Sequence, residues 1–169
     1  RIEDFVVVID TSMSCSGDLV RCFLEETYDV LCQSDSYFKK TNIHIIQCDE
    51  QVQQDRLITN QEEMEAYMRD FTIIGQGGTD FRPAFEYVNG LIRQGAFRRL
   101  KGLLYFTDGE GIYPVKRPVY DTAFVFLKDQ YTDISVPAWA MKLILEPEQL
   151  LENSGGQSSG SKVAKDSPL

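Results

Sequence analysis

The fold of this chain is decided by the stretch Phe5-Val6-Val7-Val8-Ile9-Asp10-Thr11-Ser12-Met13-Ser14. It begins with five consecutive apolar residues, of which three are valines. An apolar run of this length without a polar face is typical of a central strand that is covered on both sides. The run stops at an aspartate, and open α/β sheets bind ligands beyond the carboxyl ends of their strands. The stretch therefore predicts a buried strand and a functional loop directly after it.

That loop carries a carboxylate and two hydroxyls in an Asp-x-Ser-x-Ser spacing, formed by Asp10, Ser12 and Ser14. All three offer hard oxygen ligands, which suit Mg²⁺, Mn²⁺ or Ca²⁺. A second interpretation is that the two serines cap the helix that follows. The motif alone leaves both interpretations open.

The rest of the chain alternates between strand and helix patterns. Apolar residues recur at helical intervals over 19–31 and 81–92, and Asn60 with Glu63 indicates a further helix start. Strand patterns cover 43–46, 52–58, 103–107, 123–127 and 139–145, and the first two flank a polar turn that is typical of an antiparallel hairpin at a sheet edge. This order predicts an α/β fold with a doubly wound, mostly parallel sheet, an antiparallel edge strand and helices on both faces.

Two further loops carry oxygen-bearing side chains. One is glycine-rich and ends in Thr79-Asp80, and the other begins with Asp108 directly after the strand pattern 103–107. If the strands before Asp10 and Asp108 are neighbours, the three loops meet at one edge of the sheet and gather Asp10, Ser12, Ser14, Thr79 and Asp108. Taken singly, Asp108-Gly109 also fits an ordinary turn, and Thr79-Asp80 also fits a helix cap.

Length and composition predict a folded domain over 1–150 and a flexible tail or linker over 151–169, where serine and glycine predominate. The 169-residue chain has 17 basic against 26 acidic residues and a formal net charge of -9, which argues against a nucleic-acid partner. No apolar run has the length of a membrane span, so no membrane partner is expected.

The cysteines show no Cys-x-x-Cys pair and no regular spacing; they are Cys15, Cys22, Cys32 and Cys48. We interpret them as reduced thiols, which favours a cytoplasmic location.

The three loops together resemble the metal-site loops of von Willebrand factor A domains, in which Asp-x-Ser-x-Ser, a glycine-threonine loop and a strand-terminal aspartate occur in this order. The segments 77–83 and 105–114, Gly-Gly-Thr-Asp-Phe-Arg-Pro and Tyr-Phe-Thr-Asp-Gly-Glu-Gly-Ile-Tyr-Pro, are similar to those of a bacterial A-like family. Members of that family commonly form the C-terminal part of proteins that also carry a predicted metallopeptidase domain. The resemblance extends from about Phe5 to Leu145.

The resemblance implies a metal-ion-dependent adhesion site and no catalysis by this domain. Ser12, Ser14 and Thr79 would bind the cation through their hydroxyls, Asp10 and Asp108 would bind it directly or through water, and a carboxylate from a protein partner would complete the shell. It also implies an AAA-type ATPase, or a client of one, as a partner. The expected function is therefore a divalent-cation-dependent protein-interaction module in a larger cytoplasmic assembly.

Two alternatives remain from the sequence. One is a metal-assisted hydrolase or phosphatase that uses Asp10 as its nucleophile, although a second aspartate is missing where Ser12 stands. The His-Glu-x-x-His, Gly-x-Ser-x-Gly and Walker motifs are also missing from the sequence. The other alternative is a structural domain in which the three loops bind no metal.

Overall fold

The structure is a computed structural model and describes residues 1–152. Its strands are β1 (Ile2–Asp10), β2 (Lys40–Cys48), β3 (Val52–Ile58), β4 (Leu100–Phe106), β5 (Asp121–Leu127) and β6 (Met141–Leu145). Its helices include α1 (Gly17–Cys32), α2 (Gln61–Arg69) and α3 (Arg82–Arg93). The predicted tail lies almost entirely outside the described residues.

The six strands form one sheet in the order β3-β2-β1-β4-β5-β6. All neighbouring pairs are parallel except β2 and β3, which form the antiparallel hairpin at one edge. The predicted α/β fold with a doubly wound, mostly parallel sheet and an antiparallel edge strand is therefore confirmed. Because β1 lies between β2 and β4, the loops after β1 and β4 leave the same edge of the sheet side by side.

The apolar run of β1 is buried on both faces, as its sequence predicts. Val7 and Ile9 pack in the core shared with α1 and α2, whereas Val6 and Val8 pack in the core shared with α3. None of these four side chains is more than 1% exposed. Burying one aliphatic side chain of this size stabilises the fold by roughly 1.5–3 kcal/mol, so β1 anchors both layers.

The strand β1 begins at Ile2, three residues before the apolar run. This extension includes two acidic residues, Glu3 and Asp4, whose carboxylates form ion pairs or hydrogen bonds. The Glu3 carboxylate pairs with Arg1 and Lys39, and Asp4 Oδ2 accepts the backbone amides of Arg98 and Arg99 at 2.8 and 3.0 Å. Carboxylates near the core are tolerated when they are paired in this way. Such partners come from distant segments, which explains why the strand pattern underestimates the length of β1.

Two predicted helix boundaries are confirmed by their capping contacts. Asn60 Oδ1 accepts the amide of Glu63 at 2.8 Å, and Glu63 Oε1 accepts the amide of Thr59 at 2.7 Å, which is the reciprocal pattern of a capping box. The helix α3 ends at Arg93, and Gly95 follows in the left-handed conformation with φ of 74°. These contacts fix where α2 begins and where α3 ends.

The four cysteines are free thiols in the structure, two of them buried and two partly exposed. Within residues 1–152, no helix combines the length and the apolar character that crossing a membrane requires.

Candidate functional site

The helix that follows the loop after β1 is capped by a third serine, not by Ser12 or Ser14. The cap of α1 is Ser16, whose Oγ accepts the amide of Leu19 at 3.2 Å. Ser12 lies four residues earlier, and its backbone amide and Oγ both donate to Asp10 Oδ1, at 3.0 and 2.5 Å. Because another serine caps α1, the interpretation of Ser12 and Ser14 as helix caps is wrong.

The glycine-rich loop brings Thr79 to the same place. Its Oγ1 lies within hydrogen-bonding distance of Ser12 Oγ, although 67 residues separate the two. Asp10 Oδ2 accepts the Thr107 hydroxyl at 2.6 Å from the end of β4. Hydroxyls from three loops thus meet at the carboxyl edge of the sheet, and those of Ser12 and Thr107 contact the Asp10 carboxylate directly.

The two remaining predicted residues lie beside this group. Ser14 and Asp108 both line a cleft of about 360 Å³, which Thr107 also lines. Ser14 is exposed, and Asp108 is partly buried with its Oδ1 accepting the amide of Glu110 at 3.0 Å. All five predicted residues therefore lie at one edge of the sheet: Ser12 contacts both Asp10 and Thr79, and the other two line the adjoining cleft.

The electrostatics of the group favour a cation. Burial raises the pKa of Asp10 above its ordinary value, and the nearby charge of Asp108 acts in the same direction. Hydrogen bonds from Ser12 and Thr107 act against this shift without cancelling it. A buried carboxylate beside a second one is costly to ionise unless a positive charge compensates it. The oxygen donors present here therefore fit a hard divalent cation.

The candidate site differs in composition from a cluster of charged or imidazole ligands. Over residues 1–152, no group of three or more His, Cys, Asp or Glu side chains is placed to hold a metal ion. The candidate set contains only two carboxylates, Asp10 and Asp108, and otherwise consists of hydroxyls.

Asp49 holds the glycine-rich loop in position, a role that its place in a polar turn did not indicate. Its Oδ2 accepts the amide of Gly77 at 3.0 Å, and its Oδ1 accepts the amide of Gln51 and the side-chain amide of Gln53, both at 3.0 Å. A Cβ on Gly75 would lie 2.7 Å from Asp49 Oδ2, and Gly75 has a φ of 109°, so the loop requires glycine there on both counts. Burial raises the pKa of Asp49, but these hydrogen bonds outweigh burial and hold that pKa below its ordinary value.

The glycine-rich loop is also tied to the loop after β4. The amide of Phe81 donates to the carbonyl of Ile112 at 3.0 Å, and the Phe81 ring packs edge-on against Tyr113 with centroids 4.7 Å apart. Thr132 donates its amide to the carbonyl of Asp108 at 2.9 Å, which fixes the start of that loop.

Thr107 and Asp49 are the two contributors to the site that the sequence analysis missed. The signal for Thr107 was its position just before a strand-terminal aspartate.

The fold is shared with solved structures at low sequence identity. A mussel byssus protein, proximal thread matrix protein 1 with a zinc-occupied MIDAS motif, aligns with a TM-score of 0.64 at 14% identity over 95% of this chain and 47% of its own. The ArnB paralog VWA2 from Sulfolobus acidocaldarius aligns with a TM-score of 0.59 at 16% identity over 89% and 43%. The SpRpn10 VWA domain aligns with a TM-score of 0.54 at 13% identity over 95% and 97%.

This chain spans about half the length of the mussel protein it resembles. Among curated proteins, none matches the chain significantly by sequence. At these identities the structural likeness establishes the fold alone.

A family model described as "VWA-like domain (DUF2201)" matches residues 5–146, which is most of the chain. The chain therefore belongs to the VWA-like domain family DUF2201.

Proposed function

We propose that this domain is a divalent-cation-dependent protein-interaction module whose metal-ion-dependent adhesion site consists of Asp10, Ser12, Ser14, Thr79 and Asp108. The observation that carries the proposal is the convergence of the Ser12 and Thr79 hydroxyls beside the buried Asp10 carboxylate. A structural role does not require two hydroxyls from distant loops to meet beside an uncompensated carboxylate.

The donor chemistry suggests how such a site would recognise a partner. The hydroxyls of Ser12, Ser14 and Thr79 carry no charge, so they would leave most of the charge of a bound Mg²⁺, Mn²⁺ or Ca²⁺ uncompensated. Such a cation attracts a further hard, anionic ligand, and Mg²⁺ usually keeps waters that a ligand can replace. We therefore propose that a partner protein supplies a carboxylate.

The mussel protein whose MIDAS motif holds zinc supports the idea that a protein of similar fold can bind a divalent ion. The zinc itself belongs to that protein, and the choice of cation here is part of the proposal. The family resemblance further suggests an AAA-type ATPase, or a client of one, as the partner in a cytoplasmic assembly.

The contacts of Asp10 weigh against a hydrolase that would use it as a nucleophile. Both of its carboxylate oxygens accept short hydrogen bonds, from Ser12 and from Thr107, and the residue is 2% exposed. A nucleophile needs a free oxygen directed at the substrate, whereas a carboxylate that supports a cation through water or through the Ser12 hydroxyl does not. We therefore propose that the domain binds without catalysing a reaction.

Thermal unfolding in a chelator and in millimolar Mg²⁺ or Mn²⁺ tests the metal site. A cation at about 100 times its dissociation constant adds roughly 2.7 kcal/mol to the free energy of unfolding by mass action, which corresponds to a shift of a few degrees. We expect this shift in the parent protein and its loss in Asp10→Ala. Asp121→Ala is the control, because Asp121 is an exposed carboxylate at the first residue of β5, at the opposite end of the sheet from the site. An equal shift in both variants, or no shift with any of the cations, would contradict the proposal.

Affinity capture from a cell extract tests the interaction itself. The immobilised parent domain should retain a partner in Mg²⁺ and release it in chelator, and Ser12→Ala should retain less of it at the same metal concentration. Partner binding that is indifferent to chelator would count against a role for the cation.

A further inference from the structure

A groove lies on the flank of α3 where a crossover helix would be expected. Parallel neighbouring strands such as β4 and β5 are usually connected through a helix that covers the sheet. In the described chain, the connection over 107–120 contains no helix and passes over α3 as an irregular loop. Between α3 and the loop segment 114–119 it leaves a groove of about 490 Å³. This volume lies within the range of binding sites for ligands and side chains.

The groove has an apolar floor and an apolar rim. Phe85 and Ile92 of α3 line it from below, while Val115 and Val119 line it from the loop. Val115 is 96% exposed and Val119 is 89% exposed. Single exposed aliphatic residues are common on protein surfaces, but two of them beside an apolar groove form a patch that is typical of an interaction site.

The same groove is locally basic on an acidic protein. Arg93, Lys116 and Arg117 line it and are exposed, and Glu86 is the acidic residue of its lining. The basic side chain of Arg82 also lines the groove but is already paired with a neighbouring carboxylate. The whole chain has a net charge of -9, so this clustering of cations runs against its overall composition. Such a patch attracts an acidic partner and steers its approach.

We propose that this groove binds an acidic, amphipathic segment of a partner protein. Aliphatic side chains of the segment would fill the space between Phe85, Ile92 and Val119, and its carboxylates would face Arg93, Lys116 and Arg117. An amphipathic helix that lays its apolar face in a groove is a recurring mode of peptide recognition. The lining residues include no exposed aromatic ring on which a nucleic-acid base could stack, which favours a peptide over a nucleic acid.

This surface is distinct from the proposed metal site, so binding to it requires no cation. A suitable probe is a fluorescent peptide of about 16 residues, roughly four helical turns, with leucines along one face and glutamates on the others. A matched peptide carries serine in place of each leucine. Both are titrated by fluorescence anisotropy in chelator, and the binding site is mapped by the backbone amide shifts of the labelled protein. We expect the leucine peptide to bind and to shift the amide signals of α3 and 114–119 alone. Its affinity should fall as the salt concentration is raised.

Charge-reversal variants test whether the groove residues bind the peptide. Lys116→Glu with Arg117→Glu should weaken binding about tenfold, because two attractive pairs become repulsive. Lys101→Glu with Lys128→Glu is the matched control, since it changes the net charge by the same amount at exposed positions outside the groove. Val119→Asp should also weaken binding, and its side chain is exposed enough to leave the fold intact.

Several results would overturn the proposal. Equal weakening by the two double variants would show that binding follows overall charge. Equal binding of the serine peptide would show that any polyanion, nucleic acid included, occupies the groove. Amide shifts at 10–14 and 107–111 would place the peptide at the metal site instead. Self-association that Lys116→Glu with Arg117→Glu abolishes would make a second copy the occupant, and no binding at millimolar peptide would leave the groove without the proposed function. Because the titration contains chelator, failure here does not affect the metal-site proposal.

Discussion

The Ser12 and Thr79 hydroxyls lie within hydrogen-bonding distance of each other, although 67 residues separate them in the sequence. Ser12 belongs to the loop after β1, the central strand, and Thr79 to the loop before α3. Their contact places two neutral oxygen donors next to the Asp10 carboxylate. This relationship makes specific predictions about which substitutions change metal binding and which change only stability.

Ser12→Ala and Ser16→Ala should affect different quantities: the first the stability gained in Mg²⁺, the second the stability of the fold itself. Ser16 caps α1, so its loss should lower the free energy of unfolding by about 1 kcal/mol while the gain in Mg²⁺ stays unchanged. Ser12 caps no helix, so its loss should remove most of the stability gained in Mg²⁺. Chemical denaturation of both variants in chelator and in Mg²⁺ measures this difference. If the two variants lost the Mg²⁺ gain equally, Ser12 would affect metal binding through the position of α1 and not as a ligand.

Asp49→Ala should weaken metal binding although Asp49 is not a predicted ligand. The substitution removes the acceptor of the Gly77 amide and frees the loop that carries Thr79. We expect a loss of about 2 kcal/mol in the free energy of unfolding, together with a lower affinity for Mn²⁺ in calorimetric titration of the folded protein.

Asp35→Ala is the matched control for Asp49→Ala. The Asp35 carboxylate also holds a loop, since it accepts the amide and hydroxyl of Thr41 at 3.1 and 2.6 Å, but it does so at the start of β2, away from the metal site. This variant should lose stability and keep its Mn²⁺ affinity. An unchanged Mn²⁺ affinity in Asp49→Ala would rule out the positioning role.

Gly111→Ala should disturb the site through steric contact. A Cβ at this position would lie 2.7 Å from Thr79 Cγ2 and 2.6 Å from the Phe81 ring, which is fully buried and cannot easily move. We expect a loss of roughly 1–3 kcal/mol from overpacking and a smaller thermal shift in Mg²⁺. In Gly17→Ala, the added Cβ meets no atom within 4 Å, so that variant should keep both stability and the shift. A normal shift in Gly111→Ala would mean that Thr79 does not contribute to the cation site.

Asp55→Asn should change the acid stability of the hairpin edge. Burial raises the pKa of Asp55, but hydrogen bonds from His44 at 2.9 Å and Tyr87 at 2.5 Å outweigh it and hold this pKa below the ordinary 3.8. A carboxyl group with a depressed pKa stabilises the fold fully above the unfolded value, and that contribution is lost as the pH falls through the folded value.

The stability difference between the parent and Asp55→Asn should therefore be about 1–2 kcal/mol at neutral pH. It should shrink below about pH 4, where the unfolded chain begins to bind the proton. Urea denaturation at a series of pH values measures the difference. A constant difference across this range would show that the hydrogen bonds do not depend on the charge of Asp55.

The sequence predicted those features that depend on near neighbours along the chain. Successive side chains of a strand point to opposite faces of the sheet, so the consecutive valines of β1 predicted a strand that is covered on both faces. The structure places this strand at the centre of the sheet. Asn60 and Glu63 indicated the start of α2 because a capping box spans only three residues. Local motifs also indicated the candidate metal residues, and the expected order of parallel strands predicted that they lie at one edge of the sheet.

The sequence could not determine which distant segments contact each other, nor which of several similar residues takes a given role. Three serines precede α1, and only the course of the chain shows that Ser16 caps the helix while Ser12 turns towards Asp10. Asp49 and Gly77 are 28 residues apart, so no local pattern connects them. The groove beside α3 exists because a connection without a helix packs there. Local sequence determined the strands, the caps and the donor types, whereas the packing of the whole core decided which side chains face one another.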